Sequence, residues 1–328
     1  MTYTHNYHQK DLSSYHFLVT GGAGFIGSNV VEYLLNSGAG KVRVLDNFST
    51  GSRENFKDFK DHPSLEIIEG DIRDLTTCRL ALNNIQYVSH QAAIGSVPRS
   101  IDDPITTNDV NVNGFLNILV AARDAGVKRM IYAASSSTYG DHPGLPKTEE
   151  NIGNPLSPYA VTKYVNELYA GVFSTIYGIH TIGLRYFNVF GPRQDPQGHY
   201  AAVIPLFIKS ALDNNSPFIY GDGEHSRDFT FVENVVQANI KALFCEQVTK
   251  HELINIGLGQ RTTLNELWKH IIEITGLSLA AKYSIERKGD IKDSLASIDK
   301  AKKLIGYEPS VSVLKGLQLT IDWFNRSV

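Results

Sequence analysis

The chain has 328 residues, 42% of them hydrophobic, which is room for one large α/β unit and a second lobe. With 31 basic against 34 acidic residues and a net charge of −3, it offers no electrostatic case for nucleic acid or an anionic membrane as partner. Its two cysteines, Cys78 and Cys245, lie far apart without disulfide-framework or metal-ligand spacing, which predicts free buried thiols, a reducing compartment and no metal.

Met1 to Tyr15 is polar where a signal peptide needs an apolar centre, and is expected to be a surface extension. No window approaches about 18 consecutive apolar residues, so the expected location is cytoplasmic. Phe17-Leu18-Val19-Thr20 then reads as a buried strand that breaks into Gly21, Gly22, Gly24 and Gly27, and helical spacing resumes at Val30, Val31, Leu34 and Leu35. Glycines at such a turn let main-chain N–H groups approach an anion at the positive end of a helix, so the expected guest is a pyrophosphate. A second strand, Lys41 to Leu45, ends on Asp46-Asn47. A carboxylate about 20 residues after the glycines suits a ribose 2′-hydroxyl and repels a 2′-phosphate, which favours NAD over NADP.

The polar stretch from Asn47 to Asp61, with Ser49, Thr50 and Gly51, is expected to loop around the adenosine ribose. Leu65 to Ile68 is a third strand, and Asp71 after it either meets the adenine amino group or caps the helix beginning near Leu75. Tyr87 to Ala93 is a fourth, whose end at Gln91, Ala92 and Ala93 is small enough for a cofactor to lie across. An amphipathic helix is predicted from about Thr106 to Ala125, closed by Gly126. Lys128 to Ala134 is the fifth strand and delivers Ser135, Ser136 and Ser137. This alternation predicts a Rossmann-type doubly wound parallel sheet with ligands at the carboxyl ends of its strands.

Ser157-Pro158 opens a helix that carries Tyr159 and Lys163 on one face. A phenol beside an ammonium and a cationic nicotinamide is easier to ionise, which would make Tyr159 a general base. Later, Thr263 and Glu266 resemble a capping box, and Leu317, Ile321 and Phe324 mark a last amphipathic helix. The expected division is an NAD-binding domain of residues 1–187 and 229–255, and a smaller α/β substrate-binding lobe of 188–228 and 256–328.

The ordered set Gly21-x-x-Gly24-x-x-Gly27, Asp46, Asp71, Ser135 and Tyr159-x-x-x-Lys163 resembles the extended short-chain dehydrogenase/reductase superfamily. Leu184 to Arg193 and Tyr220-Gly221-Asp222-Gly223 with Ser226-Arg227-Asp228-Phe229 resemble its nucleotide-sugar epimerase branch. The resemblance implies NAD contacts from Gly21, Gly24, Phe25, Ile26 and Gly27, from Asp46, Asn47, Ser49 and Gly51, from Asp71 and Ile72, from Gln91, Ala92 and Ala93, and from Tyr159, Lys163 and Tyr186. Ser135, Tyr159 and Lys163 would be catalytic, oxidising a sugar at C4 with NAD that stays bound. Related 4,6-dehydratases carry an Asp-Glu pair three and two residues before the tyrosine seen here as Tyr139; Ser136 and Ser137 stand there, and serine is too weak an acid for elimination. Epimerisation of a UDP-sugar is therefore expected.

The same resemblance implies substrate contacts from Asn188, Ala202, Val203, Tyr220, Arg227, Arg287 and Asp290. Ser294 is small where a tyrosine in similar epimerases hinders an N-acetyl group, and Ser96, Ser136 and Gln194 offer polar atoms to the amide. UDP-N-acetylglucosamine and UDP-N-acetylgalactosamine are thus favoured, as in surface polysaccharide pathways. UDP-glucose remains an alternative, as does a UDP-uronate on account of Arg99, Arg185 and Arg193. A net oxidoreductase and a non-catalytic NAD sensor are the other rivals. A homodimer through the helices of Thr106 and Tyr159 is implied as well.

Overall fold

Among the residues described by the computed structural model, 5–196, 201–285 and 292–327, strand and helix alternate from the first apolar run onward. β1 (His16–Thr20), α1 (Phe25–Asn36), β2 (Lys41–Asp46), β3 (Leu65–Glu69), α2 (Leu75–Leu82) and β4 (Tyr87–His90) come first. α3 (Val97–Asp102), α4 (Pro104–Asn108), α5 (Phe115–Asp124), β5 (Arg129–Ser135), α6 (Pro158–Tyr177) and β6 (Thr181–Tyr186) follow. Beyond them lie β7 (Val189–Phe190), α7 (Val203–Leu212), β8 (Phe218–Tyr220), β9 (Ser226–Arg227), β10 (Thr230–Phe231) and α8 (Val232–Phe244). The chain closes with β11 (Glu252–Ile256), β12 (Thr262–Thr263), α9 (Leu264–Thr275), β13 (Lys282–Ser284), α10 (Asp299–Ile305) and α11 (Val313–Ser327).

Seven of the described strands form one parallel sheet in the order β3-β2-β1-β4-β5-β6-β11. Its central strands are covered on both faces, which is why they read as nearly unbroken apolar runs. The order reverses between β1 and β4. There the chain leaves neighbouring strands in opposite directions and a crevice opens at their carboxyl ends. The glycine turn after β1 and Gln91–Ala93 after β4 therefore flank one opening, and Gln91 N–H donates to the Thr20 carbonyl at 3.0 Å.

One face of the sheet packs against α1, α8 and α10, the other against α2, α5 and α6. A separate core gathers around Phe190, Phe207, Phe231, Trp268 and Leu317, so it draws on both parts of the expected division. Ala301, Ile305 and Tyr307, expected in the smaller lobe, instead pack in the core beneath the large sheet, next to β11 and α8. The chain thus returns to the large sheet's core at α10 and leaves it again at α11.

The segment before β1 also departs from expectation. Tyr7 and Leu12 are buried, the Tyr7 ring stacks on Tyr33 at 5.3 Å, and its hydroxyl donates to Glu233 at 2.8 Å. Two apolar side chains among polar neighbours carry no periodic signal. Helix around Thr106 runs from Pro104 to Asp124, but Asp109–Gly114 forms a π-type turn within it. That turn aims Asn111 at the 92–95 loop, whose Ile94 N–H it accepts at 2.8 Å, while its amide reaches Thr162 on α6 at 3.1 Å.

Two helix starts follow the sequence signals. Ser157 accepts from Ala160 N–H at 3.1 Å with Pro158 in the first turn of α6, and Thr263 with Glu266 forms the capping box of α9. A cap of this kind stabilises by about 1 kcal/mol, and at Ser157 it fixes where Tyr159 leaves the helix. Among the described residues no helix is long and apolar enough to cross a membrane.

Candidate active site

The turn after β1 excludes side chains. Gly21 has φ +65° and a Cβ there would lie 2.6 Å from the Ala92 nitrogen; at Gly27 it would lie 2.1 Å from the Gly21 carbonyl oxygen. The turn is thereby pressed against the end of β4, and the start of α1 opens into a cleft of about 420 Å³. Gly21, Gly24, Phe25, Ile26 and Gly27 line this cleft beside Asp46, Asn47 and Ser49. Asp71, Ile72, Gln91, Ala92 and Ala93 continue it, and Ser135, Tyr159, Lys163 and Tyr186 stand at its far end. Gly51 does not line it: a Cβ there would meet Ala23 at 2.8 Å, so this glycine supports the turn from behind. Thr50, from the loop expected there, lines the cleft, and Ile94, Gly95 and Val110 line it unforeseen; Val110 arrives through the π-type turn, which no local pattern announces.

Asp46 is buried, and its two oxygens accept from Ala23 and Phe48 N–H at 2.8 Å each. Burial raises its pKa while those N–H groups oppose the rise, and each oxygen retains acceptor capacity. Asp71 does not cap α2, because Asp74 does so through Thr76 and Thr77. Instead the Arg73 guanidinium and the Asn47 amide fix the Asp71 carboxylate, and Arg73 first of all holds its pKa down to about 2.

A second cleft of about 630 Å³ shares Ser135, Tyr159, Tyr186 and Asn188 with the first. Ser96, Ser136, Gln194, Ala202, Arg227 and Ser294 line it. A third, of about 480 Å³, continues past Ala202 and Arg227 to Val203 and Tyr220. Arg287 and Asp290 lie outside the described residues. Lys147, Asp195 and Asp293 also line the second cleft, and nothing in their local sequence marks them. Asp293 is committed to Ser226 and to Arg261 at 3.6 Å, and the Ser226 bond holds its carboxyl below the ordinary range.

Where the first two clefts meet, Ser135 ends β5 and Tyr159 lies on the first turn of α6. The two residues line both clefts together, and the Lys163 ammonium, 5.8 Å from the Tyr159 ring, donates to the Ala133 carbonyl at 2.9 Å. Burial pushes the Tyr159 phenol above its ordinary value against the pull of Ser135, and pushes Lys163 down to about 8. The expected easing of Tyr159 ionisation by an ammonium and a cationic nicotinamide is not met by Lys163 by itself, because in the ligand-free protein desolvation dominates. The Tyr186 hydroxyl is fixed by Asn239 at 2.8 Å and reaches Gln91 at 3.3 Å, which holds its ring against the cleft.

Two of the three arginines considered for a carboxylated sugar are spoken for. Arg185 is fully buried in a two-point pair with Glu167, and Arg193 is paired with Glu32 at 2.8 Å. Arg99 lines the second cleft.

Residues 17–257 match the NAD dependent epimerase/dehydratase family. The putative UDP-glucose 4-epimerase of Methanocaldococcus jannaschii is 38% identical over 94% of this chain and 98% of its own length. The chain belongs to this family. Two solved structures are similar throughout. The UDP-N-acetylglucosamine 4-epimerase from Methanobrevibacter ruminantium, in complex with UDP-N-acetylmuramic acid, has a TM-score of 0.91 and 39% identity, with 96% of this chain and 99% of that one covered. The Thermus thermophilus UDP-glucose 4-epimerase in complex with NAD has a TM-score of 0.85 and 36% identity, with 95% and 100% covered. The family's cofactor is NAD, and the glycine cradle closed to any Cβ, with a carboxylate at the end of β2, fits a dinucleotide without a 2′-phosphate.

Proposed function

We propose that this protein interconverts the C4 epimers of a UDP-hexose, and that its preferred pair is UDP-N-acetylglucosamine and UDP-N-acetylgalactosamine. The observation that carries the reading is that Tyr159 and Ser135 line both the dinucleotide cleft and the cleft beside it, so one phenol serves a sugar and a nicotinamide at once. Gly21 to Gly27, Asp46, Asp71 and Gln91 to Ala93 would hold the dinucleotide, while Tyr186 and Lys163 would fix its nicotinamide end. Asn188, Ala202, Val203, Tyr220 and Arg227 would hold UDP, the arginine as a fork for phosphate.

Bound there, NAD supplies the acceptor and later the donor of the hydrogen at C4, with a cationic ring that adds positive charge beside Tyr159. Ser135 orients the 4-hydroxyl by hydrogen bonding and afterwards the ketone. Tyr159 takes the hydroxyl proton as the C–H bond breaks, and gives it back when the ring has turned to offer its other face. Lys163 contributes charge that favours the phenolate against the burial that opposes it. No strong acid follows Ser135, since Ser136 and Ser137 occupy the short 3₁₀ turn there, which supports return of the hydrogen over elimination.

The choice of sugar rests on Ser294, a small side chain on the second cleft with Ser96, Ser136 and Gln194 around it. Initial rates on UDP-N-acetylglucosamine should exceed those on UDP-glucose, and Ser294→Tyr should lower the acetylated reaction at least about tenfold while sparing the other. Equal or faster turnover of UDP-glucose by the unaltered protein would refute the assignment. The pairing of Arg185 and Arg193 weighs against a uronate.

We further infer a homodimer in which a second copy covers an apolar stripe on α6. Val161, Leu168, Val172 and Ile176 recur along one side of that helix, half or more exposed, with Ile105 of α4 at 82% exposure nearby in the fold. Sedimentation should give twice the mass of the chain, and a monomer at all concentrations would contradict the inference.

A further inference from the structure

The buried pair of Glu167 and Arg185 touches neither cleft, yet it lies one helical turn beyond Lys163. We propose that Glu167, gripped by Arg185, is a positioning residue whose negative charge keeps the Lys163 ammonium protonated inside the active site. The proposal rests on the assignment of Tyr159 and Lys163 to the C4 reaction.

Lys163 is only 3% exposed, and its ammonium has one described acceptor, the neutral Ala133 carbonyl. A dry site favours the uncharged amine, so a lysine there needs a negative neighbour to keep its proton. The groups facing it from each packed element are few. On α6 itself they are Tyr159 and Glu167; from β4 comes His90, buried and kept neutral by desolvation, its ring against Thr20 at 2.8 Å. From β5 come Tyr132 and Ser135, and from β6 Arg185 and Tyr186. His251, just before β11, is likewise held neutral by burial. Glu149 turns its carboxylate to the Asn255 N–H at 2.8 Å and gives Arg185 only its carbonyl oxygen. Glu167, buried and four residues along α6 from Lys163 on the same helix side, is the carboxylate among these described neighbours whose charge acts on it, and each favours the charged form of the other.

Arg185 makes that charge possible. Its Nε and Nη2 donate to the two Glu167 oxygens at 2.8 Å each, and Nη1 donates to the Glu149 carbonyl at 2.9 Å. Burial alone would protonate Glu167; the guanidinium opposes this and fixes the carboxylate's orientation. A buried pair of this kind is seldom more stabilising than apolar residues of the same volume, so stability alone gives little reason for it.

The test reads Lys163 directly. In protein labelled with [13C]lysine, the Lys163 ε-carbon resonance, assigned by its loss in Lys163→Met, should titrate near pH 8. Glu167→Gln removes the carboxylate and leaves Arg185 as a second cation, so the midpoint should fall by about one pH unit or more. The double variant Glu167→Met with Arg185→Met removes both charges, should fold as an apolar pair, and should lower the midpoint by less. The alkaline limb of kcat should move down with it, since charge on Lys163 is lost as pH rises through its pKa, while KM stays unchanged. Midpoints within about 0.3 of the unaltered protein in both variants would overturn the proposal. Should the unaltered protein turn over no UDP-sugar, the assigned reaction fails, and the NMR midpoints still decide the role of Glu167.

Discussion

Replacing Tyr159 with Phe should lower kcat for C4 interconversion by about 10²- to 10⁴-fold, the usual contribution of a positioned proton-transfer group. The variant keeps the ring, its packing at the start of α6 and the Lys163 bond to Ala133, so NAD content and KM for the UDP-sugar should change little. What it loses is the phenol oxygen of a residue that lines both clefts beside Ser135. Because that oxygen is desolvated, the protein alone disfavours the phenolate; the charge that overcomes this must come from Lys163 together with the bound nicotinamide. A Tyr159→Phe protein with undiminished turnover would remove the phenol from the mechanism.

Gly27→Ala should have the second largest effect, on binding rather than chemistry. The added Cβ would sit 2.1 Å from the Gly21 carbonyl oxygen and 2.9 Å from the Gly22 Cα, both main-chain atoms that no rotamer change can move. The turn must then open or α1 must shift, either of which spoils the approach of its N-terminus to a pyrophosphate. Nucleotide released on denaturation should drop at least about tenfold per chain, with a loss of about 1–3 kcal/mol of stability from overpacking. A Gly27→Ala protein that carries its full complement of NAD would contradict the role given to this turn.

The features legible in the sequence were those set by neighbours a few residues away. Glycines at the end of an apolar run fix a turn because only they fit its backbone, and Tyr159 and Lys163 meet because a helix brings residues four apart together. The alternation of short apolar runs with helical spacing was sufficient for the parallel sheet, whereas the strand order and its reversal between β1 and β4 depend on pairings that the alternation does not disclose. Contacts across long separations were not legible. Lys147 and Asp293 reach the second cleft from two segments joined to each other by the bridge of Lys147 to Ala296, and neither has a local signature. Tyr7 finds Tyr33 and Glu233 by tertiary packing alone. Whether Asp71 capped α2 was open until its partners were known, and the cap is Asp74. The rise in the Tyr159 pKa depends on burial, which spacing does not disclose.

The most direct measurement is to incubate the purified protein in D2O with UDP-N-acetylglucosamine and no added nicotinamide nucleotide, and to follow the sugar by NMR. Captive NAD that returns the same hydrogen predicts UDP-N-acetylgalactosamine with protium retained at C4 and no deuterium at C5 or C6. A deoxy-keto product, deuterium in the hexose ring or no C4 epimer at all would contradict the account.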